Sequence, residues 1–134
     1  MATRTYKGSC HCGKVTFEAD IDLEKPTSKC NCTQCWKSRA WAAGGKPAML
    51  RVLTGKDDLT DYTRSDAVHF MFCKHCGIRV YGHGNLPDVG GEYVTVMVST
   101  LDDVDPAQLV AAPVTYCDGL NNNWWNAPAE TRHL

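Results

Sequence analysis

The sequence predicts a mainly β fold of antiparallel strands with one or two short helices, and three observations support this prediction. Five segments are rich in alternating apolar, β-branched or aromatic residues, which is typical of half-buried strands. Gly, Asp or Pro bounds the segments, so short turns join neighbouring strands, and this favours antiparallel sheets. Helical signal is confined to two short stretches. The five strand segments are residues 14–20, 49–55, 67–73, 78–84 and 92–101.

The two helical stretches are short, and the sequence signal for a helix is stronger in one than in the other. Residues 32–42 can open with one or two helical turns. Residues 105–112 carry a clearer signal, because Asp105 can cap a helix that has Pro106 at its first position. The segment 121–134 has no clear element and is expected to be a loop and tail.

Length and composition indicate one compact domain over residues 1–134, with a core at 5–120 and a tail at 121–134. Hydrophobic residues make up 43% of the chain and charged residues 22%, which are ordinary values for a folded soluble protein. The net charge is −1 without a basic block, which argues against nucleic-acid and membrane partners. The N-terminus lacks a signal-like apolar region, and no apolar run is long enough to cross a bilayer, so the expected location is cytoplasmic.

Cysteines are the most informative residues in this chain. There are eight of them, and in a reducing compartment such residues are metal ligands or reactive thiols more often than disulfides. Seven fall into three tight groups, and Cys117 stands apart. The groups are Cys10 with Cys12, the trio Cys30, Cys32 and Cys35, and Cys73 with Cys76.

The third group is a C-x-x-C motif followed by Gly77. A tight turn there directs both sulfurs into one concavity, and Gly77 allows a conformation that a Cβ atom would hinder. Strand-like segments enter and leave the motif, which indicates a zinc knuckle on a β-hairpin. A redox pair is the alternative, although that motif usually opens a helix in a βαβ unit.

The first group is a C-x-C pair. If the segment is extended, Cys10 and Cys12 point to the same face and can bind one ion. Structural zinc sites in small domains usually take two ligands from each of two segments. We therefore expect Cys10, Cys12, Cys73 and Cys76 to form a closed structural zinc site, whose loss would cost most of the folding free energy.

The trio leaves one ligand position open. Three thiolates with a free fourth position are the arrangement of a catalytic zinc, which can take a substrate thiolate or a water. One alternative is a closed second site that Cys117, or one of the five histidines, completes. A lone cysteine such as Cys117 is more often a small buried apolar residue than a ligand. Another alternative is a redox pair of Cys32 and Cys35, which bound zinc would block.

Taken in order, the segments GSCHCGKVTFE, CNCTQCWKS and FCKHCGIRVYG resemble the glutathione-dependent formaldehyde-activating enzyme family, which includes centromere protein V. The matching motifs cover about residues 7–84. The resemblance implies a zinc-bound β-tent of antiparallel sheets with two Zn²⁺ ions. It implies that Cys10, Cys12, Cys73 and Cys76 hold the structural zinc, and that Cys30, Cys32 and Cys35 hold the second, active one.

The activity that the resemblance implies is that of a carbon–sulfur lyase. The enzyme would add a small-molecule thiol, glutathione, to formaldehyde or a related aldehyde and form an S-hydroxymethyl adduct. A zinc-stabilised binding module without catalysis is the alternative function. It requires both zinc ions to be structural.

Several residues near the trio are candidates for substrate contacts. Glutathione has two carboxylates that need cationic or backbone donors. Trp36 and Trp41 could wall a pocket or pack in the core, whereas Trp124 and Trp125 could cover a cleft or anchor a dimer contact. The histidines are expected at the surface rather than in acid–base roles. The candidate donors are Lys37, Arg39, Arg64, Gly44 and Gly45. The aromatic candidates are Trp36, Trp41, Trp124 and Trp125. The histidines expected at the surface are His11, His69, His75 and His83.

Overall fold

The computed structural model describes residues 3–134, except for the side chain of Arg64. Within this range the chain forms ten β-strands and two short α-helices, so the prediction of a mainly β fold is confirmed. Three strands form a small antiparallel sheet in the order β1-β2-β5. They are β1 (Arg4–Ser9), β2 (Thr16–Ile21) and β5 (Leu50–Thr54).

The other seven strands form a second sheet in the order β10-β3-β4-β9-β8-β7-β6. Every neighbouring pair in it is antiparallel except β10 and β3, which run parallel. The strands are β3 (Thr27–Cys30), β4 (Ala42–Gly45), β6 (Leu59–Ser65), β7 (Val68–Cys73), β8 (Arg79–Leu86), β9 (Gly91–Met97) and β10 (Val114–Cys117).

All five predicted strand segments contain a strand, although the last one is shorter than expected. β9 ends at Met97 because the chain turns into a 3-10 helix at Val98–Thr100. Five further strands carry little sequence signal. β1 and β6 are rich in exposed polar residues, β3 and β10 are only four residues long, and β4 consists of small residues.

Both predicted helices are present and have side-chain caps. α1 (Thr33–Ser38) begins after Cys32, whose sulfur accepts a hydrogen bond from the backbone N–H of Cys35. α2 (Pro106–Ala111) begins after Asp105, whose carboxylate accepts from the N–H of Ala107 at 2.9 Å. These caps satisfy N–H groups that have no partner inside the helix.

One apolar cluster joins the two sheets. Phe17 and Ala19 alternate with polar residues along β2, and Val80 and Val96 come from β8 and β9 of the larger sheet. These side chains are almost completely buried, so the burial of apolar surface holds the sheets together. The two α-helices of the described residues have six residues each, so neither could span a membrane.

Candidate metal centres and the adjoining cleft

The chain brings together the four cysteines of the first and third groups. The sulfurs of Cys10, Cys12, Cys73 and Cys76 all lie within 4.8 Å of one another. The Sγ–Sγ distance is 3.6 Å between Cys10 and Cys12, and 3.7 Å between Cys12 and Cys73. Four thiolates around a tetrahedral zinc are about 3.8 Å apart, given a Zn–S bond of about 2.3 Å. The donor set and its spacing can therefore hold zinc.

Two tight turns build this cluster. Cys73 ends β7, and the N–H of Gly77 donates to its carbonyl at 2.8 Å, with a φ of +78° at Gly77. The other pair differs from expectation, because Cys10 and Cys12 lie in a turn rather than in an extended segment. The N–H of Gly13 closes that turn on the carbonyl of Cys10 at 3.2 Å. A turn brings the sulfurs together as well as an extended C-x-C would.

The thiols of this cluster differ in how readily they ionise. The N–H of Ile78 is the main cause that lowers the pKa of Cys76, to about 6. The backbone N–H of Lys14 favours the thiolate of Cys12. Desolvation and the thiols of Cys10, Cys73 and Cys76 outweigh this effect and raise the pKa of Cys12 to about 11. Adjacent thiolates repel one another, so a divalent cation is what allows all four to ionise.

The trio is built where β3 meets α1. Cys30 ends β3, Cys32 caps α1, and Cys35 lies in the helix. Backbone N–H groups point at two of the sulfurs: that of Cys32 lies 3.4 Å from the sulfur of Cys30, and that of Cys35 lies 3.5 Å from the sulfur of Cys32. Such donors stabilise thiolates.

Electrostatic coupling within the trio is strong. The thiols of Cys30 and Cys35 lower the pKa of Cys32, while the thiols of Cys30 and Cys32 raise the pKa of Cys35. One thiolate therefore forms easily and suppresses the next. A zinc ion would relieve this repulsion, so the donor set suits the metal.

The trio is less compact than the four-cysteine cluster. Among the described residues, it is not one of the groups whose ligand atoms all lie within 4.8 Å of one another. Thiolates that share one zinc ion through bonds of about 2.3 Å lie closer together than this.

Cys117 lies beside the trio rather than apart from it. It is the Cα partner of Cys30 in the parallel pairing of β10 and β3. Burial raises the pKa of the Cys117 thiol, and the charges of Cys30 and Cys32 raise it further. Because 86 residues separate Cys30 from Cys117 in the chain, only the sheet pairing reveals this proximity.

The loop after β10 folds over the trio. The buried amide of Asn31 donates to the carboxylate of Asp118 at 2.9 Å and accepts from the N–H of Leu120 at 2.9 Å. Gly119 passes so close that a Cβ atom there would lie 2.6 Å from the sulfur of Cys30 and 2.5 Å from the ring of Trp124. The absence of a side chain at Gly119 is what permits this approach.

A cleft of about 840 Å³ opens next to the trio. Cys32 is the trio residue that lines it. Its other walls come from α1, from the β6–β7 hairpin and from the loop after β10. The other lining residues are Thr33, Gln34, Lys37, Ser38, Tyr62, Ser65, Val68, Phe70, Gly119, Leu120 and Trp124.

The four tryptophans have different roles. Trp124 lines the cleft and is 47% exposed, whereas Trp125 is 75% exposed. Trp41 packs against the core, and its indole N–H donates to the hydroxyl of Thr27 at 2.8 Å. Trp36 packs against the ring of His133 at a centroid distance of 4.4 Å. Neither Trp36 nor Trp41 is among the described residues that line the cleft.

The candidate donors for a substrate carboxylate lie in different parts of the structure. Lys37 lines the cleft, while a guanidinium N–H of Arg39 donates to the carbonyl of His133 at 3.2 Å. Gly44 and Gly45 belong to β4 and pair with β9, so among the described residues they do not line the cleft. The side chain of Arg64 lies outside the described part of the chain.

Arg79 is a further candidate that sequence reasoning missed. Its guanidinium donates to the side-chain oxygen of Gln34 at 3.2 Å and lies 4.4 Å from the ring centroid of Phe70. The buried Nε has no hydrogen-bond partner among the described residues, and the charge of Arg79 acts to lower the pKa of Cys35. The alternation of side chains along the strand could have identified Arg79 from the sequence. Because Val80 points into the core, its neighbour Arg79 points to the opposite face of the sheet.

Comparisons with known proteins identify the family of this chain. The sequence model of the glutathione-dependent formaldehyde-activating enzyme family matches residues 5–118, which include all eight cysteines. A crystal structure of a Rhodobacter sphaeroides protein is similar, with 32% sequence identity and a TM-score of 0.68 over 81% of this chain and 99% of that chain. The chain therefore belongs to the glutathione-dependent formaldehyde-activating enzyme family.

Proposed function

We propose that this chain is a zinc-dependent enzyme of the carbon–sulfur lyase type that adds glutathione to formaldehyde or a related aldehyde. Family membership supports the reaction class. The position of Cys32 is the observation that carries the proposal, because this residue belongs to the trio and also lines the cleft of about 840 Å³. A ligand in the cleft can therefore reach the sulfur cluster.

Each cysteine cluster has its own role in this proposal. Cys30, Cys32 and Cys35 would hold the catalytic zinc, and Cys32 gives the cleft access to this site. The cluster of Cys10, Cys12, Cys73 and Cys76 would hold a structural zinc, which would join the turn after β1 to the β7–β8 hairpin. The close spacing of those four sulfurs supports the structural role.

The proposed reaction forms one carbon–sulfur bond. The sulfur of glutathione attacks the aldehyde carbon, and the thiol proton ends on the aldehyde oxygen as the hydroxyl of the S-hydroxymethyl adduct. A zinc ion at the trio would supply the positive charge that lowers the pKa of the glutathione thiol.

Residues of the cleft would bind and orient the thiol. Lys37 is a cation at the cleft wall and is assigned to a glutathione carboxylate. Tyr62 and Trp124 are each about half exposed, and their rings provide apolar walls for the backbone of glutathione. Arg79 favours thiolates at the trio through its charge.

We also propose a cytoplasmic location. None of the eight cysteines, all of which lie within the described residues 3–134, forms a disulfide. Zinc–thiolate chemistry and glutathione both require a compartment in which thiols remain reduced.

Exchange NMR with glutathione and formaldehyde tests the proposal. The protein should raise the rate of adduct exchange above that of buffer, and Cys32→Ser should abolish the increase while the chain stays folded. Lys37→Gln should raise the glutathione concentration required for half the maximal rate. Lys25→Gln, at an exposed turn after β2, is the control and should leave that concentration unchanged. A wild-type rate equal to that of buffer, with both zinc sites filled, would exclude the formaldehyde reaction.

A non-catalytic zinc-stabilised binding module is the second candidate, and the position of Cys117 is what favours it. If Cys117 completes a closed second site, both zinc ions are structural. Cys32→Ser would then unfold the chain instead of only stopping catalysis. Thermal unfolding of this variant at a fixed zinc concentration separates the two functions.

A further inference from the structure

Three potential metal ligands lie together on β6, β7 and β8, away from the cysteine clusters. His69 of β7 and His83 of β8 are Cα partners in the antiparallel pairing. Asp61 of β6 is two residues before Thr63, the partner of His69, so its side chain lies on the same face. Phe70 lines the cleft beside the trio, and as the neighbour of His69 it points to the opposite face of the sheet. The three residues are therefore separate from the trio.

The ligand atoms of this group are close together. One carboxylate oxygen of Asp61 and one ring nitrogen from each histidine all lie within 4.8 Å of one another. The two imidazole rings are stacked, with a centroid distance of 4.6 Å and an angle of 6° between their planes. Both histidines are partly buried, while Asp61 is exposed at the edge strand. Three donors from adjacent strands thus converge on one point.

The hydrogen bonds of His69 direct one of its ring nitrogens at a second potential ligand, Asp61. The Nε2 atom lies 3.1 Å from the carbonyl oxygen of Asp66, and because a carbonyl only accepts, Nε2 carries the proton. A histidine that binds a metal usually donates its other ring N–H to a carbonyl or carboxylate in this way. The Nδ1 atom lies 2.6 Å from the carboxylate of Asp61, so a metal ion can replace the proton between them.

We propose that Asp61, His69 and His83 bind a divalent transition-metal ion of the Zn²⁺ class. Two imidazoles and one carboxylate are a donor set that suits Zn²⁺ and similar ions, and they leave at least one position for water or another ligand. His83 also lines a cleft of about 590 Å³, together with Tyr81 and Tyr93. A small molecule in this cleft would therefore contact His83. Binding displaces the proton between Asp61 and His69, with no change of oxidation state.

NMR of the histidine ring nitrogens tests this proposal with Zn²⁺ itself as the probe. The full chain is first loaded with zinc at its cysteines and then titrated with more Zn²⁺. The ring resonances of His69 and His83 should shift together and saturate with one additional equivalent. His75 is an internal control, because its Nε2 contacts Asp58 at 2.7 Å and no third ligand joins them among the described residues, so its resonances should stay in place.

Two variants make the test specific. His83→Gln and Asp61→Asn should each weaken the additional binding by at least about tenfold. Asp57→Asn, at an exposed aspartate in the turn before β6, should bind like the wild type. Because Asp61 is exposed, Asp61→Asn keeps the test valid if His83→Gln fails to fold. Unmoved His69 and His83 resonances, an equal shift of His75, or wild-type binding by Asp61→Asn would overturn the proposal.

Discussion

Cys30 and Cys117 are register partners in the parallel pairing of β3 and β10. Each is the last residue of its strand, so both lie at the same end of this strand pair. The trio therefore has a fourth thiol beside it. Whether that thiol binds the metal determines whether the second site is open or closed. This is the structural distinction between an enzyme and a binding module.

The first prediction concerns Cys117 itself. Replacing Cys117 with Ala should leave two zinc ions bound, because Cys30, Cys32 and Cys35 are the proposed ligands. Cys30→Ser should lose one zinc ion and is the matched comparison across the same strand pair. Zinc content, measured by competition with a chromogenic chelator, distinguishes the variants. Loss of one zinc ion in Cys117→Ala would instead identify a closed second site.

The second prediction separates structural from functional thiols. Cys73→Ser should lower the free energy of unfolding severely, because Cys73 is fully buried and its sulfur helps to join β1 to the β7–β8 hairpin. Cys35→Ser should have a much smaller effect, since the four-cysteine cluster remains intact. Chemical denaturation of both variants at the same free zinc concentration provides the measurement. Equal destabilisation would contradict the assignment of roles.

The third prediction uses the charge of Arg79. Its guanidinium acts to lower the pKa of Cys35, so Arg79→Gln should raise that pKa further and leave fewer thiolates at a given pH. Zinc at the trio should then dissociate at a higher pH than in the wild type during acidification. Arg79→Lys should restore part of the difference because it retains the charge.

Zinc release to a chelator as the pH falls measures this effect, with the four-cysteine cluster as an internal reference. Arg51→Gln is the control, because Arg51 pairs with Asp20 in the smaller sheet. If Arg79→Gln and Arg51→Gln release zinc at the same pH as the wild type, Arg79 has no influence on the trio.

The fourth prediction concerns the close approach of Gly119. A Cβ atom at this position would lie 2.6 Å from the sulfur of Cys30, so Gly119→Ala should move the loop that carries Trp124. We expect weaker zinc binding at the trio and a changed tryptophan fluorescence. Gly44→Ala is the matched control, since its nearest neighbour would be the carbonyl of Val94 at an ordinary 3.6 Å. Identical zinc affinities in the two variants would show that the loop tolerates a side chain there.

Local patterns in the sequence determined the class of fold and the grouping of the cysteines. The alternation in residues 14–20 predicts β2, and Asp105 before Pro106 predicts α2, because strand periodicity and helix capping depend on neighbouring residues. The C-x-x-C turn before Gly77 likewise depends on a few adjacent residues. The motifs also pointed to the family.

Only the tertiary structure decided which distant residues share a site. The parallel pairing that brings Cys117 to Cys30 joins residues 87 positions apart, and the pairing of β7 with β8 brings His69 onto His83. Strand register sets these contacts, and register depends on the packing of whole sheets. Taken one at a time, Cys117 and the two histidines looked unremarkable in the sequence, and their chemistry follows from the neighbours that the sheet gives them.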